Sequence, residues 1–297
     1  MGYRSLFAKD AFAGRTVVVT GAGSGIGRCT AHELASLGAH VVLVGRKEEK
    51  LARVASELEA EGYASSRHSV DIRDEEGVRA VVGAIVAARG PIHGLVNNAG
   101  GQYPAPLAMI TKKGFEAVVA TNLTGGFLVA REVFLQSMAD HGGAIVNMLA
   151  DAWGGMPAMG HSGAARAGMF NLTQTAAVEW AAAGVRVNAV APGWVASSGL
   201  DTYKDPTFRE LIPQLRRQVP LHRLATEAEV SSAIVFLLSD AAAFITGECL
   251  RIDGGASCNT KMFPLPEHSR SRPYEGFHLA KAPDILGGGP GDGAKGE

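Results

Sequence analysis

Short runs of consecutive apolar residues alternate along this chain with longer stretches in which apolar residues recur at helical spacing. Residues 16–20 (TVVVT) read as a first buried strand and 41–44 (VVLV) as a second. Residues 95–96, 144–147 (AIVN) and 185–190 (VRVNAV) read as later strands, and 249–252 (CLRI) as a final or edge strand. Helical patterns lie between them at 28–37, 48–61, 75–88, 115–138, 166–183 and 226–238. Strands that are apolar throughout, taking turns with helices, predict a parallel sheet covered on both faces. The expected fold is therefore α/β, a doubly wound sheet of Rossmann type forming one domain over residues 1–258. Two stretches break the rhythm. Residues 197–221 are polar and carry Pro206, Pro213 and Pro220, which suggests a lid or substrate loop. Residues 259–297 are rich in Gly and Pro, a composition that predicts an extended or disordered tail.

Composition narrows the function. The 297 residues are 46% hydrophobic and 19% charged, enough apolar material for a large core. A net charge of −1 gives no electrostatic case for binding nucleic acid or a membrane surface. Cys29, Cys249 and Cys258 are far apart without metal-ligand spacing, so no metal site is expected and a reducing compartment fits. The opening MGYRSLFAKDAFAGR holds no long apolar stretch, no uninterrupted apolar run is long enough to span a bilayer, and the final AKGE is not a peroxisomal address. A cytoplasmic location is the expectation.

The strongest motif is Thr20-Gly-Ala-Gly-Ser-Gly-Ile-Gly27, directly after the first strand and opening a helix. Glycines at Gly21, Gly25 and Gly27, with Ser24 and Ile26 between them, let the backbone approach a pyrophosphate. The helix N-terminus supplies N–H groups and a partial positive charge. The plain alternative is an ordinary strand-to-helix loop, but a second strand follows at the right distance for a nucleotide fold. At the end of that second strand stand Gly45 and Arg46. An acidic residue there would accept from a ribose 2′-OH and favour NAD, whereas a guanidinium can pair with a 2′-phosphate. NADP(H) is the expected cofactor, against the alternative that Arg46 is a solvated surface residue.

With three residues between Gly21 and Gly25, the motif resembles that of the short-chain dehydrogenase/reductase family, and further matches run to about Gly255. Asn97-Asn98-Ala99-Gly100 resembles the family's NNAG beside the adenosine half of the cofactor. Asp71-Ile72 resembles its adenine-contacting pair, Asn122 in TNLTG its active-site Asn, Pro192-Gly193 the PG lining the nicotinamide, and Asp253-Gly-Gly255 its closing strand. The resemblance implies a homo-oligomer, most simply a tetramer, paired through the helices at 115–138 and 166–183.

The family's usual Tyr-x-x-x-Lys is absent. In HSGAARAGMFNLTQTAAVEWA, aligned on the AG that follows the family Lys, Ser162 stands at the Tyr position and Arg166 at the Lys position; Leu149 and Ala150 occupy places where serines are common. HSGAARAG, NNAGGQYPAP, TNLTGGF, GVRVNAVAPG and EVSSAIVFLLS resemble the peroxisomal trans-2-enoyl-CoA reductase group. The related 2,4-dienoyl-CoA reductases also place Ser where Ser162 stands, but add a Tyr at the position of Asp151. Reduction of an α,β-unsaturated thioester leaves negative charge on the thioester oxygen, so hydrogen-bond donors matter more there than a phenol of tuned pKa. The expectation is an NADPH-dependent reductase of an enoyl thioester, an acyl-CoA above all. Ser162 would donate to the oxygen, Arg166 would fix the nicotinamide ribose, Asn122 would hold the helix or a water, and Tyr103 is a second candidate donor. Two alternatives stay open: a carbonyl reductase with a replaced catalytic acid, and a non-catalytic NADP-binding scaffold. Among the single residues, Ser162 could merely cap the following helix, and His161 reads as a positioned or solvated histidine rather than a general acid. Trp153, Trp194 and the methionines Met148, Met156 and Met159 read as pocket walls or packing.

Overall fold

The computed structural model describes residues 2–204, 206–259 and 265–286. Among them is one seven-stranded sheet in the order β3-β2-β1-β4-β5-β6-β7, with every pairing parallel. The strands are β1 (Thr16–Thr20), β2 (His40–Gly45), β3 (Ser65–Ser69), β4 (Gly94–Asn97), β5 (Gly143–Met148), β6 (Val185–Pro192) and β7 (Cys249–Ile252). The central strands are apolar because both faces are covered, and the pleat sends alternate residues to opposite sides. Val17, Val19, Val41 and Leu43 pack with Leu34, Leu51, Val54 and Ile234 on one side. Val18, Val42 and Val44 pack with Val82, Ile85, Val129 and Ala177 on the other.

β3 is the element that the apolar pattern does not reveal. Its sequence is SSRHS, half exposed, and it pairs only with β2, from Val41↔Ser65 to Gly45↔Ser69. An edge strand needs backbone partners on one side only, so backbone pairing rather than side-chain burial defines it.

The helices are α1 (Gly25–Ser36), α2 (Glu48–Ala60), α3 (Glu75–Arg89), α4 (Lys112–Val119), α5 (Gly125–Val133), α6 (Ala139–His141), α7 (Gly160–Glu179), α8 (Pro206–Leu211) and α9 (Glu227–Leu238). α4, α5 and α6 form one 30-residue helix, Lys112–His141, joined by π turns at Ala120–Thr124 and Phe134–Met138. By length and mean hydropathy this helix could cross a membrane, but Arg131 and Glu132 interrupt its apolar run, and half of its most apolar window is buried inside the protein. α9 opens with a capping box, in which Thr226 Oγ1 accepts from Glu229 N and the Glu229 carboxylate accepts from Thr226 N. α7 begins six residues before the start expected at Arg166, with Met159 as its N-cap.

Of the two expectations for the tail, residues 265–286 take the extended one. They form a strap laid over α1 and α9, while 260–264 and 287–297 lie outside the described residues. Composition hides the anchors, which are two aromatics. Phe277 is buried against Tyr3, Cys29 and Ala228, with the Arg28 guanidinium 5.0 Å from its ring centroid. The Tyr274 backbone donates to Glu229 Oε1 at 3.1 Å and accepts from Thr226 Oγ1 at 2.8 Å. Farther on, the N–H groups of Asp284 and Ile285 donate to the Asp201 carboxylate at 3.3 and 3.1 Å, which ties the strap to the loop following β6. Removing the main anchor should be costly: Phe277→Ala is expected to lower stability by about 3 kcal/mol. In thermal unfolding this corresponds to a drop of roughly 6–12 °C. An unchanged midpoint would show that the strap contributes nothing to the core.

Candidate active site

Strand order reverses between β1 and β4, and the loops at the carboxyl ends of these strands border the crevice where such sheets bind ligands. Thr20 and Asn98 stitch the two loops together. Thr20 Oγ1 accepts from the N–H groups of Asn98 and Ala99, each at 2.9 Å, and Asn98 Nδ2 donates to the Thr20 carbonyl at 2.9 Å. Gly21 turns out of β1 at φ +67°, and a Cβ there would lie 2.8 Å from Asn98 Nδ2. At the start of α1, Ser24 is the N-cap but its side chain makes no capping bond. No capping side chain therefore competes for the first-turn N–H groups, as an anion site requires. Gly25 and Gly27 lie in that first turn, and Ile26 packs on the core.

The remaining cofactor candidates ring the same crevice. Arg46 is exposed just beyond β2, its carbonyl held by Ser69 Oγ at 3.2 Å. Asp71 is pulled down to about 2 by hydrogen bonds from Arg73. Ile72 is turned into the core against Gly125, so any ligand contact it makes goes through its backbone. Pro192 ends β6 and its carbonyl accepts from Asp151 N at 3.0 Å; Gly193 N donates to Ile252 O at 3.0 Å. Asp151 has its carboxyl pushed up by burial and then by Asp253.

Ser162 and Arg166 are one turn apart on α7, so their side chains share a face. Arg166 is buried; its guanidinium donates to the Met148 carbonyl and, through Nη2, to Asn122 Oδ1 at 3.4 Å. Burial pulls its pKa down to about 10. Its Nε is buried without a hydrogen-bond partner among the described residues. Asn122 sits in the first π turn of the long helix and grips Gly101 from both sides: Oδ1 accepts from Gly101 N at 2.9 Å and Nδ2 donates to Gly101 O at 2.8 Å. A Cβ on Gly100 would come within 2.7 Å of both Arg166 Nη2 and Asn122 Oδ1, so the chain must be bare at that point.

Ser162 is not a helix cap, because Met159 holds that place and Ser162 lies inside the first turn. Its Oγ donates to Gln102 Oε1 at 2.6 Å, and Gln102 Nε2 donates to the Tyr203 hydroxyl at 3.4 Å. Neither Gln102 nor Tyr203 stood out in the sequence; the available signal was Gln102's place in GGQYP, next to Tyr103. Tyr103 itself lies edge-on to His161, ring centroids 4.6 Å apart, with its hydroxyl against Gly114 on α4. His161 is fully buried rather than solvated. Its Nδ1 accepts from Ser162 N at 2.9 Å, and its Nε2 has no partner. Met148 and Met159 are core residues, and Trp153 lies under the Arg251 guanidinium at 4.7 Å. Among the described residues no cluster of His, Cys, Asp and Glu could hold a metal ion.

A family model described as enoyl-(acyl carrier protein) reductase matches residues 21–257. A solved structure of a citronellol catabolism dehydrogenase (AtuB) from Pseudomonas aeruginosa PAO1 is 62% identical. It covers 86% of this chain and 100% of its own, with a TM-score of 0.78. A Bacillus subtilis protein named as a probable 2,4-dienoyl-CoA reductase is 35% identical over 84% of this chain and 99% of its own length. Glucose 1-dehydrogenase of Gluconobacter oxydans is 37% identical over 83% and 93%. The chain belongs to the short-chain dehydrogenase/reductase family, an oxidoreductase family whose fold binds NAD(P)H.

The site is formed to receive such a dinucleotide. A bare glycine turn, an uncapped helix start and the orphaned Arg166 N–H are the features that a nicotinamide dinucleotide would fill. One further group at this crevice escaped the sequence. Glu227, in the first turn of α9, brings Oε1 to 3.9 Å from where a Gly25 Cβ would be, and burial pushes its pKa up to about 7, opposed by Arg28. Below that pH the carboxyl is neutral; above it a carboxylate repels a diphosphate at α1. Affinity for a reduced nicotinamide dinucleotide, followed by fluorescence titration with NADPH and with NADH, should therefore fall as pH rises through 7, by up to about tenfold per unit. Glu227→Gln should flatten the profile. A flat profile in the unaltered protein would remove Glu227 from the diphosphate site.

Proposed function

We propose that this family member is an NADPH-dependent reductase of the C=C bond of an enoyl thioester, most simply an acyl-CoA. The observation that carries the proposal is the Ser162–Arg166 pair, standing where the family's Tyr and Lys would be, with Ser162 Oγ held inside the site by Gln102. Asn98, Ala99, Gly100, Pro192, Gly193 and the start of α1 would hold the cofactor, and Arg46 would meet its 2′-phosphate. A bound reduced nicotinamide supplies a hydride. The chain's own part is electrostatic. As hydride reached the β-carbon, charge would grow on the thioester oxygen, the Ser162 hydroxyl would donate a hydrogen bond to it, and the enolate would then take a proton from water at its α-carbon to complete the saturated thioester. The buried positive charge of Arg166 on the same helix face favours the same anion. Asn122 keeps Gly100 and Gly101 close under that charge. The dienoyl-CoA reductase relative and the enoyl reductase family model support this assignment.

A second reading follows from the 62% identical neighbour: a dehydrogenase acting on an alcohol or carbonyl compound formed in citronellol breakdown. The glucose dehydrogenase relative favours carbonyl chemistry too. NADPH oxidation across enoyl-CoAs and β-ketoacyl-CoAs, together with NADP+ reduction by citronellol, separates the two. Reaction with ketone or alcohol alone would end the enoyl assignment. We further propose a homotetramer, since Phe127 and Leu135 on the long helix and Val178 on α7 are exposed apolar residues that a partner surface would cover.

Two substitutions probe the roles. Ser162→Ala should lower enoyl-CoA turnover about a hundredfold, as loss of one oxyanion donor does, while leaving NADPH affinity unchanged; full activity would dismiss Ser162. Arg46→Asp should erase or reverse a preference for NADPH over NADH, because a carboxylate repels the 2′-phosphate and suits a free ribose. Equal affinities in the unaltered protein would count against NADPH.

A further inference from the structure

The Ser162 hydroxyl is fully buried and gives its proton to Gln102 Oε1 at 2.6 Å. In that arrangement it has none left for a substrate oxygen. Gln102 in turn donates through Nε2 to the Tyr203 hydroxyl at 3.4 Å, and Tyr203 belongs to the loop after β6 that the strap grips through Asp201. A carboxamide presents an oxygen on one side and an NH2 on the other, and a half-turn of the amide exchanges them without moving the side chain's stem. A hydroxyl can donate or accept, so both ends of this chain tolerate either orientation.

We propose that Gln102 is the positioning residue that decides whether Ser162 can donate to substrate. With Nε2 turned toward Ser162, the amide donates to Ser162 Oγ, Tyr203 O–H donates to Oε1, and the Ser162 proton is released toward the substrate oxygen. Every group in the chain then keeps a partner, and hydrogen bonds running in one direction polarise one another toward the oxygen that gains charge. With the amide turned the other way, Ser162 is satisfied by the protein alone. The reversal therefore couples donor availability to the loop that carries Tyr203. Gln102 itself is fixed in reach because Asn122 clamps the preceding Gly101 from both sides. Among the described residues, the titratable and charged groups about it are Tyr203, the adjoining Tyr103, His161, whose Nδ1 accepts from Ser162 N, and the Arg166 guanidinium, bonded to the Asn122 that clamps Gly101.

This proposal rests on Ser162 being the donor to substrate, so the test is arranged to separate the two. Gln102→Met keeps length but removes both polar atoms; kcat should fall about tenfold with NADPH affinity and melting temperature unchanged. The infrared carbonyl band of a bound saturated acyl-CoA should move back toward its position in water as the Ser162 bond weakens. Gln102→Glu keeps the shape, but an ionised carboxylate only accepts and holds Ser162 in the wrong direction. Its activity should collapse near neutral pH and recover as the pH falls and the carboxyl gains a donor, a limb that unaltered protein lacks. A packing residue would create no such limb. Unchanged kcat and carbonyl frequency in Gln102→Met, or no new limb in Gln102→Glu, overturns the positioning role. If the protein reduces ketones and no enoyl thioester, the enoyl assignment falls, and the same variants measured on the ketone still decide Gln102. Absence of turnover with any compound overturns both.

Discussion

The Arg166 guanidinium lies buried with no ion-pair partner among the described residues, and the rest of the site is arranged around that charge. An ion out of water without a counter-ion is costly, and here only dipoles compensate: the Met148 carbonyl at the end of β5 and the Asn122 side-chain oxygen. Each compensation constrains a neighbour. To offer its oxygen, Asn122 is held in a π turn and locked to the Gly101 backbone. That lock leaves no room for a side chain on Gly100 and sets Gln102, the next residue but one, opposite Ser162. The helical repeat then returns Ser162 to the Arg166 face of α7. A single charge compensated only by dipoles thus fixes the loop after β4, the end of β5, the first π turn of the long helix and α7 relative to each other. An anion developing beside it would supply what the protein withholds.

The proline-bearing segment after β6 is tied down from two directions. Tyr203 takes a hydrogen bond from Gln102, and Asp201 accepts two backbone donors from the strap. The strap is anchored far away, by Phe277 in an apolar nook beside α1 and by Tyr274 on the capping box of α9. Residues remote from the crevice, and beyond the region that the family model matches, therefore bear on the loop that carries Tyr203.

Much of the architecture was legible in the chain because burial on both faces leaves an unmistakable signature. Runs such as TVVVT have no polar face to offer, and glycines directly after such a strand admit few structures besides a nucleotide turn. The polar edge strand β3 left no signature, since one row of backbone hydrogen bonds to β2 defines it. Composition left the tail open between extended and disordered, because two aromatic anchors among many glycines and prolines do not stand out in an average. α7 was begun too late because no conventional cap marks Gly160, and that late start is what left capping open as the alternative role for Ser162.

Local order and resemblance told which groups could act: Ser162 and Arg166 by alignment on the AG that follows the family Lys, Asn122 and the glycine turn by their motifs. Sequence determines these because periodicity and backbone freedom are properties of neighbouring residues. Pairing and direction were decided in three dimensions. Gln102 rather than Tyr103 receives the Ser162 proton, because the Tyr103 ring packs on His161 and carries its hydroxyl to Gly114, while the amide beside it faces α7. Arg166 turns to a carbonyl and an amide oxygen, and Glu227 comes to the start of α1 from a helix two hundred positions away in the chain. Hydrogen bonds act over about 3 Å, and which atoms come that close is set by packing between distant segments, which no local pattern encodes.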